Sequence, residues 1–314
     1  MTVVFADSVF EKHRTGYHHP ETSERVARSL HRLEGRDWFK ELKRGRFSEI
    51  SAERLLRTHT PEVLERLARS VAEGGGHLDS DTYVSKESAE VSRLAAGAAL
   101  AACELVLSGQ TKNAFCLTRP PGHHASREAS RGFCVFNNIA IAAHYALDVH
   151  SLSRILIVDF DVHHGDGTQA IFYDDPSVDY LSIHRFPFYP GTGHHSETGT
   201  GKGLGHTHNA PIAFGTSRDQ YLETFRSTLD RAVERVRPEL ILLSAGFDAH
   251  TLDPIGSLGL ENDDFSVMTE HVLSAANAHS GGRLISLLEG GYNLETLPGL
   301  VEEHLQTLAQ QPFA

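Results

Sequence analysis

Short apolar runs alternate along the chain with longer segments in which apolar residues recur every three or four positions. Because most of the short runs are apolar at consecutive positions, they predict strands that are buried on both faces of a sheet. The predicted strands are Thr2–Ala6, Asn113–Thr118, Arg154–Phe160, Tyr180–Ile183, Glu239–Ala245 and Leu284–Leu288. The predicted helices are Glu21–Leu33, Pro61–Glu73, Ser88–Ser108, Asn138–Asp148, Arg218–Arg237, Asp263–Ser280 and Leu294–Ala309. The alternation predicts the α/β class, with a central, mostly parallel sheet that helices cover on both faces.

The chain carries no sign of a division into several domains. No linker rich in proline and serine interrupts it and no segment is repeated, so we interpret residues 1–314 as a single domain. The longest segment without clear periodicity is His184–Ala213, which is rich in glycine, histidine and threonine. Long loops inside compact domains are usually functional, and ligands of open α/β sheets bind beyond the carboxyl ends of the strands. We therefore expect the chemistry where the apolar runs end.

The composition limits the kinds of partner. Hydrophobic residues make up 40% of the chain and charged residues 22%, which is typical of an ordinary globular protein. The 29 Lys and Arg residues against 41 Asp and Glu residues give a net charge of −12. This charge is unsuited to the phosphate backbone of nucleic acids and would attract cationic ligands. The three cysteines form no CxxC pair, which disfavours both a disulfide framework and a cysteine-rich zinc site.

Neither a membrane span nor a signal peptide is expected. No apolar stretch approaches the roughly 18 residues that a transmembrane helix needs. The first residues, Met1–Asp7, lack the basic region and the long apolar run of a signal peptide. We expect a cytoplasmic protein without a membrane partner, and the pattern leaves its oligomeric state open.

Histidine is unusually frequent in the middle of the chain. Of the 21 histidines, 11 lie between residues 123 and 208. Histidine is the common metal ligand and proton carrier near neutral pH. We expect most of these side chains to lie in loops or at the surface, and a minority to take part in a functional site.

Four of the predicted strands run into polar segments that contain glycine. These segments are Arg119–Ala125, Asp161–Gly167, Gly246–Asp248 and Glu289–Asn293. Glycine lets the backbone turn sharply and approach a ligand closely. The four segments are therefore the candidates for a shared site at one edge of the sheet.

The segment after the third predicted strand has the pattern of a metal site. In an extended chain Asp159, Asp161 and His163 share one face, and converging carboxylates are costly unless a cation neutralises them. Asp161 and His163 are a natural pair of ligands, and Asp248 at the end of another strand is a candidate third. Three protein ligands with one open position are typical of catalytic zinc. A lone aspartate at a strand end more often caps a helix or forms a turn, but the complete DxDxHHxDG arrangement disfavours that interpretation.

The adjacent histidines His123 and His124 are candidates for proton transfer. Two imidazoles beside a metal can act as base and acid toward water and a leaving group, and each needs an orienting carboxylate. Asp159 and Asp166 are the available carboxylates. Taken alone, such a pair is more often part of a polar loop. Tyr292 follows two glycines and either donates its hydroxyl to a developing oxyanion or lies at a pocket rim.

Eight segments in order resemble the zinc-dependent histone deacetylase family, which has the arginase/deacetylase fold. They are His19-Pro20-Glu21, Arg119–Ala125 (RPPGHHA), Gly132–Asn138 (GFCVFNN), Asp159–Gly167 (DFDVHHGDG), Tyr189–Gly193 (YPGTG), Ser244–Asp248 (SAGFD), Asp253-Pro254 and Glu289–Asn293 (EGGYN). The resemblance spans nearly the whole chain. The GFCVFNN and EGGYN forms are more similar to the class II and bacterial deacetylase-like branch than to class I.

The resemblance implies two metal sites and a set of catalytic residues. One zinc ion per chain is held by Asp161, His163 and Asp248. His123 and His124 form a tandem pair that Asp159 and Asp166 support respectively, and Tyr292 polarises the acyl carbonyl. A structural potassium ion uses Asp159, Ser182 and main-chain oxygens of Asp161, His163 and Ile183.

The resemblance also implies an acyl-lysine tunnel. Phe133, with Gly132 beside it, and Tyr189 form its walls, and Ile255 lines its mouth. Many members of the family have phenylalanine where Tyr189 stands, so the polarity of the tunnel and its preferred acyl chain stay open. Asp79 and Asp81 are candidates for binding the substrate backbone or a cation at the rim, and two solvated loop aspartates are an equal alternative.

The function that follows is hydrolysis of the amide of Nε-acyl-lysine, in a peptide or a protein, or of a similar acylated amine. An acetylpolyamine amidohydrolase is the nearest alternative. Ile255 and Gly256 stand near the position where the polyamine-specific eukaryotic relative has a glutamate, which argues mildly against that substrate. A ureohydrolase with two manganese ions needs more Asp and His ligands than Asp161, His163 and Asp248. An inactive relative that only binds acylated partners is disfavoured because His123, His124 and Tyr292 are all retained.

Overall fold

The computed structural model describes residues 2–310, and its central feature is a sheet of eight strands. The strands of the structure are β1 (Thr2–Ala6), β2 (Lys43–Arg44), β3 (Gly76–His77), β4 (Tyr83–Val84), β5 (Asn113–Leu117), β6 (Ile155–Asp159), β7 (Val178–Arg185), β8 (Thr207–Ile212), β9 (Leu240–Ala245) and β10 (Leu284–Leu288). The large sheet has the order β2-β1-β5-β10-β9-β6-β7-β8, and each pair of neighbours is parallel. Strands β3 and β4 form a separate antiparallel pair.

Helices connect and cover the strands. They are α1 (Glu24–Glu34), α2 (Asp37–Lys40), α3 (Ala52–Thr58), α4 (Pro61–Ala72), α5 (Ser88–Leu107), α6 (Asn138–His150), α7 (Asp166–Phe172), α8 (Arg218–Val236), α9 (Asn262–His279) and α10 (Leu297–Ala309). Helices α5 and α6 pack against each other, whereas α1, α10, α9 and α8 form a second contiguous series. The predicted α/β class, with a parallel sheet flanked by helices, is confirmed.

The sequence suggested one long loop over His184–Ala213, but the structure shows that this segment includes a strand. Its last part, β8, is the edge strand of the sheet and pairs with β7, with Leu181 opposite His208. Strand β8 is buried at only some of its positions and contains Pro211, and proline is tolerated on an edge strand. A polar edge strand of this kind lacks the continuous apolar run from which the other strands were predicted. Helices α2, α3 and α7 were missed for a related reason, since four to seven residues are too few to establish a helical period.

A buried ion cluster attaches the segment after β5 to the segment before α1. Arg119 and Arg25 both donate hydrogen bonds to the Glu21 carboxylate, and all three side chains are fully buried. Arg119 also donates to the backbone oxygens of Phe10 and His13 at 3.0 Å each. Burial opposes ionisation of Glu21, but the charge of Arg119 and the hydrogen bonds from His13 and Arg119 together outweigh it and hold the pKa of Glu21 well below its usual range.

Removing the charge of Glu21 is expected to destabilise the fold strongly. In Glu21→Gln two buried guanidinium groups lose their counter-ion, which costs about 3–5 kcal/mol. The matched control is Glu24→Gln, because Glu24 also pairs with an arginine four residues later, Arg28, but both side chains are about half exposed. An exposed pair contributes about 1 kcal/mol or less. Urea unfolding of the three proteins checks this, and equal midpoints for the two variants would contradict it.

The buried imidazole of His304 predicts a loss of stability in acid. Its Nδ1 lies 2.8 Å from Thr269 Oγ1 and its Nε2 lies 2.8 Å from Ser286 Oγ, and burial lowers its pKa from 6.5 to about 3. The unfolded chain therefore binds a proton at a higher pH than the folded chain does. The stabilisation is complete above the unfolded pKa and is lost as the pH falls toward the folded one, by about 3 kcal/mol near pH 4. In His304→Gln the free energy of unfolding should be lower at neutral pH but should fall less steeply on acidification; an unchanged slope would contradict this.

Candidate active site

The four polar segments singled out in the sequence meet at one edge of the sheet. They follow β5, β6, β9 and β10, and these strands are consecutive neighbours in the order β5-β10-β9-β6. Because the strands are parallel, their carboxyl ends lie side by side. Residues far apart in the chain are thereby brought to one place at the centre of the sheet.

Asp161, His163 and Asp248 form a compact group of possible metal ligands. One ligand atom from each lies within 4.8 Å of the others, and all three residues are buried. The Nδ1 atom of His163 is 3.1 Å from Asp161 Oδ1 and 3.0 Å from Asp248 Oδ2. Backbone N–H groups hold the carboxylates in place, because Gly290 donates to Asp161 and Val162 donates to Asp248. A nitrogen and two carboxylate oxygens are a donor set that suits a divalent metal such as zinc.

The electrostatics of this group also favour a cation. Burial, together with the charge of Asp161, raises the pKa of Asp248 to about 7. Burial lowers the pKa of His163, but hydrogen bonds to Asp161 and Asp248 outweigh it and raise that pKa to about 10. Both pKa shifts have the same consequence: protons are retained on Asp248 and His163, where they offset the repulsion between the two converging carboxylates. A metal ion satisfies the same requirement without a proton.

Glycines let the backbone pass close to these carboxylates. A Cβ atom at Gly246 would overlap the Asp161 carboxylate, and one at Gly290 would overlap the carboxylates of both Asp248 and Asp161. The Gly290 N–H reaches Asp161 Oδ2 at 2.7 Å because no side chain stands between them. The glycines in SAGFD and EGGYN are therefore required by the site and not only by turns.

The tandem histidines have the carboxylate partners that the sequence suggested. His123 Nδ1 lies 3.0 Å from Asp159 Oδ2, and His124 Nδ1 lies 2.8 Å from Asp166 Oδ1. The two imidazole rings are 4.1 Å apart between centroids. Each ring is thus oriented through Nδ1, which leaves Nε2 free to act on a substrate.

The environments of the two histidines push their pKa values apart. Burial disfavours the His123 imidazolium, but the charges of Asp161 and Asp159 outweigh this effect and raise its pKa to about 10. For His124, burial and the positive charges of His123 and His163 lower the pKa well below the usual value. Pairs of titratable groups separated in this way are typical of an acid and a base in one active site.

Three supporting side chains were not identified from the sequence. The Glu289 carboxylate accepts hydrogen bonds from the backbone N–H groups of Gly122 and His123 at 2.7 and 3.1 Å, and so fixes the turn that carries the histidine pair. Tyr180 donates its hydroxyl to Asp159 at 3.0 Å. Arg131 contacts the Asp166 carboxylate. For Glu289 the sequence offers one indication of a role in the site, namely its position before two glycines. Tyr180 and Arg131 have no motif of their own that would indicate such a role.

Arg25 of α1 and Phe133 hold Tyr292 in position. The guanidinium of Arg25 lies 4.9 Å from the centre of the Tyr292 ring and donates to the backbone oxygen of Gly291 at 2.6 Å. The ring edge packs against Phe133, with centroids 5.7 Å apart. Burial raises the pKa of the Tyr292 hydroxyl well above its usual value, so that the hydroxyl stays a neutral donor.

These groups surround a narrow cavity of about 140 Å³, which we call the central cavity. Its lining consists of Asp81, His124, Gly132, Phe133, His163, Phe188, Tyr189, Ile255 and Tyr292. Five of the six residues proposed for substrate binding line it. Phe188, whose ring stacks on His163 with centroids 5.3 Å apart, was not foreseen. The exception among the six is Asp79, whose side chain accepts the backbone N–H groups of Asp81 and Thr82 and so supports the lining from outside.

Phe133 and Tyr189, which both line the central cavity, pack against different neighbours. The Phe133 ring packs against His19, with centroids 4.7 Å apart, while the Tyr189 ring packs against His124 at 5.2 Å. A Cβ atom at Gly132 would clash with the His124 ring, so this glycine allows the Phe133 backbone to approach the histidine pair. The Phe133 wall is therefore fixed by a residue outside the lining, His19, and the Tyr189 wall by a residue within it, His124.

The residues suggested for potassium lie on the adjacent strands β6 and β7 and in the segment that follows β6. Asp159 is in register with Ser182 across β6 and β7, and Ile183 follows on β7. The Asp159 side chain accepts hydrogen bonds from His123, Tyr180 and the backbone of Asp161. Ser182 Oγ lies 2.9 Å from His184 Nδ1.

A profile of the histone deacetylase domain matches residues 19–308 of this chain. The chain belongs to the histone deacetylase family. A probable deacetylase of Archaeoglobus fulgidus is 39% identical over 295 residues, which cover 93% of this chain and 81% of that relative. A human polyamine deacetylase is 39% identical over 305 residues, which cover 93% of this chain and 45% of that relative. The crystal structure of the HDA15 HD domain is 33% identical and covers 100% of this chain and 90% of that one, with a TM-score of 0.93.

The comparisons support the deacetylase interpretation of the sequence. The chain is a hydrolase of the deacetylase type with the arginase/deacetylase fold. Within residues 2–310, no helix combines the length and the apolarity needed to cross a membrane.

Proposed function

We propose that this histone deacetylase-family enzyme is a zinc-dependent amidohydrolase that removes acetyl or another short acyl group from Nε-acyl-lysine, and that residues 1–314 act as one catalytic domain. The observation that carries the proposal is the meeting of three metal donors, two adjacent histidines and one tyrosine at one edge of the sheet, where His124, His163 and Tyr292 line a single narrow cavity. The products of the hydrolysis are a carboxylate and a free amine.

The donor atoms of Asp161, His163 and Asp248 fit one zinc ion. Their Asp2His composition leaves one position open for the reaction, as in other catalytic zinc sites. Zinc bound there would polarise the acyl carbonyl and lower the pKa of a water molecule. The low polarity around these buried side chains strengthens every charge interaction within the site.

The histidine pair supplies the proton transfers. His124 is neutral near neutral pH and lines the central cavity, so its Nε2 accepts the proton of the attacking water. His123 is hydrogen-bonded to Asp159 beside His124, and one histidine of the pair gives a proton to the nitrogen of the departing amine. The carboxylates of Asp159 and Asp166 keep both rings in one orientation throughout.

Tyr292 and the aromatic walls act on the acylated side chain. The neutral Tyr292 hydroxyl donates a hydrogen bond to the acyl oxygen as negative charge develops on it. Phe133, Phe188 and Tyr189 provide an apolar sleeve that suits the methylene chain of lysine, with Ile255 at its edge. Asp81 adds a carboxylate to this lining, and Asp79 holds the Asp81 backbone in place.

A potassium ion is proposed beside the zinc site. Asp159, Ser182 and the main-chain oxygens of Asp161, His163 and Ile183 are oxygen donors on neighbouring strand ends, and hard cations prefer oxygen. The melting temperature should be higher in potassium chloride than in lithium chloride of equal ionic strength. Equal values in the two salts would remove this ion from the proposal.

An acetylated polyamine is the second candidate substrate. The half-buried carboxylate of Asp81 lines the central cavity, where it would attract a second amine of a polyamine. The net charge of −12 attracts cations in general. A polyamine deacetylase is also among the relatives. The lining of the central cavity near Ile255 contains no further carboxylate among residues 2–310, which favours acyl-lysine.

Parallel kinetics on two sets of substrates test the proposal. The zinc-loaded enzyme is assayed on fluorogenic lysine substrates that carry acetyl and longer acyl groups, and on acetylputrescine. We expect the highest kcat/KM for a short-chain acyl-lysine. A higher value for acetylputrescine would assign the polyamine instead, and no turnover of either set by zinc-loaded protein would refute the amidohydrolase. His124→Ala, purified in the same way, controls for contaminating hydrolases.

A further inference from the structure

We infer that Asp253 is a positioning residue that fixes the catalytic tyrosine and the cavity wall opposite it through one carboxylate. Its Oδ2 accepts the backbone N–H of Tyr292 at 2.7 Å. Its Oδ1 accepts the backbone N–H groups of Ile255 and Gly256 at 2.9 Å each. Asp253 is 7% exposed and does not line the central cavity itself, so it acts on the reaction only through these neighbours.

Tyr292 and Ile255 come from different parts of the chain. Tyr292 follows β10, whereas Ile255 lies in the connection between β9 and α9. Both side chains line the central cavity. Asn293 also joins the two segments by donating to the Leu252 oxygen at 2.7 Å, but Asp253 is bonded to the backbones of Tyr292 and Ile255 themselves, so the separation of the phenol from the Ile255 wall depends directly on it.

The backbone at Tyr292 needs such a support because glycines precede it. Gly290 and Gly291 carry no side chains that could pack, and Gly291 has a φ of 115°, a conformation that other residues rarely adopt. The Gly291 oxygen and the Tyr292 N–H belong to the same peptide group, so Arg25 and Asp253 hold that one group, which precedes the tyrosine Cα, through its acceptor and its donor. Without the second support, rotation of the Tyr292 backbone would move the hydroxyl away from the acyl oxygen.

This inference rests on the proposed role of Tyr292, and a double-mutant cycle separates the two. Asp253→Asn is nearly isosteric, but its single amide oxygen can accept either the Tyr292 N–H or the Ile255 and Gly256 N–H groups, so one side of the cavity loses its support. A displacement of about 1 Å in a reacting group costs up to about 10²-fold, so we expect kcat to fall by roughly 10- to 100-fold with KM changed little. In the Tyr292→Phe background the same substitution should cost less than about threefold, because its effect passes through the missing hydroxyl.

The controls distinguish the possible failures. Asp175→Asn removes another aspartate that accepts a backbone N–H, from Ser177 at 2.8 Å, and should leave kcat unchanged. Full turnover by Tyr292→Phe alone would overturn the proposed role of Tyr292 and this inference with it. Slow turnover by Tyr292→Phe together with a full additional loss from Asp253→Asn would overturn this inference alone.

Folding and metal content are measured on every variant, by melting temperature and by zinc stoichiometry. If Asp253→Asn does not fold, Asp253→Glu replaces it, since a longer carboxylate keeps the charge but displaces both sets of hydrogen bonds. The same coupling with Tyr292→Phe is then expected, and additive losses would again overturn the inference.

Discussion

Replacing His124 by alanine is expected to lower kcat by about 10²–10⁴-fold, which is the range that a positioned base contributes. His124 is the member of the histidine pair that lines the central cavity, and burial next to His123 and His163 keeps it neutral. The variant should still bind one zinc ion, because His124 is not among the three donors. The measurements are steady-state kinetics on an acetyl-lysine substrate and zinc analysis of the purified protein.

A second buried histidine serves as the control for His124. His144 on α6 is also buried, with its Nδ1 2.8 Å from Thr58 Oγ1, and it does not line the central cavity. His144→Gln should retain kcat even if its melting temperature falls. Comparable losses of kcat in the two variants would mean that the effect of His124→Ala is a packing defect, and His124 would lose its role as the base.

The fold could be predicted from the sequence wherever an element is buried on both faces. Strands β1 and β10 have the predicted bounds, β5 and β9 differ from prediction by one residue at one end, and β6 differs by one residue at each end. Such strands lie at the centre of the sheet, where a continuous apolar run is the direct consequence of burial. Strand β8 lies at the edge and has a polar sequence, so its pairing with β7 depends on long-range contacts that no local pattern records.

The candidate site likewise contains residues that a local motif predicts and residues whose role only the fold reveals. Asp161 and His163 belong to one short motif, and an extended chain would place them on one face. In the structure β6 ends at Asp159, so the two side chains meet in the bend that follows the strand. Glu289, by contrast, reaches the backbone of His123 across 166 positions in the chain. Arg25 reaches Gly291 across 266 positions. Residues that orient the active site through the backbone of distant segments need the folded sheet before their role can be seen.

The loss of Asp248 is expected to have an effect as large as the loss of His124, but through the metal. Asp248→Ala removes one of the three donors and leaves His163 with a single carboxylate partner, Asp161. The protein should lose zinc on dialysis. Lewis-acid stabilisation of the transition state amounts to several kcal/mol, which corresponds to a loss of roughly 10³-fold or more in kcat.

Asp179 provides the matched control for Asp248, because it is also a buried aspartate that contacts histidines. It accepts hydrogen bonds from His206 and His208 at 2.9 and 2.8 Å, but it lies near the amino end of β7 and not at the carboxyl edge of the sheet. Asp179→Ala should therefore keep one zinc ion per chain. Full zinc stoichiometry in Asp248→Ala would refute the ligand assignment. Zinc loss in both variants would show instead that removing any buried carboxylate loosens the site. The ligand assignment of Asp248 requires that Asp248→Ala loses zinc while Asp179→Ala keeps it.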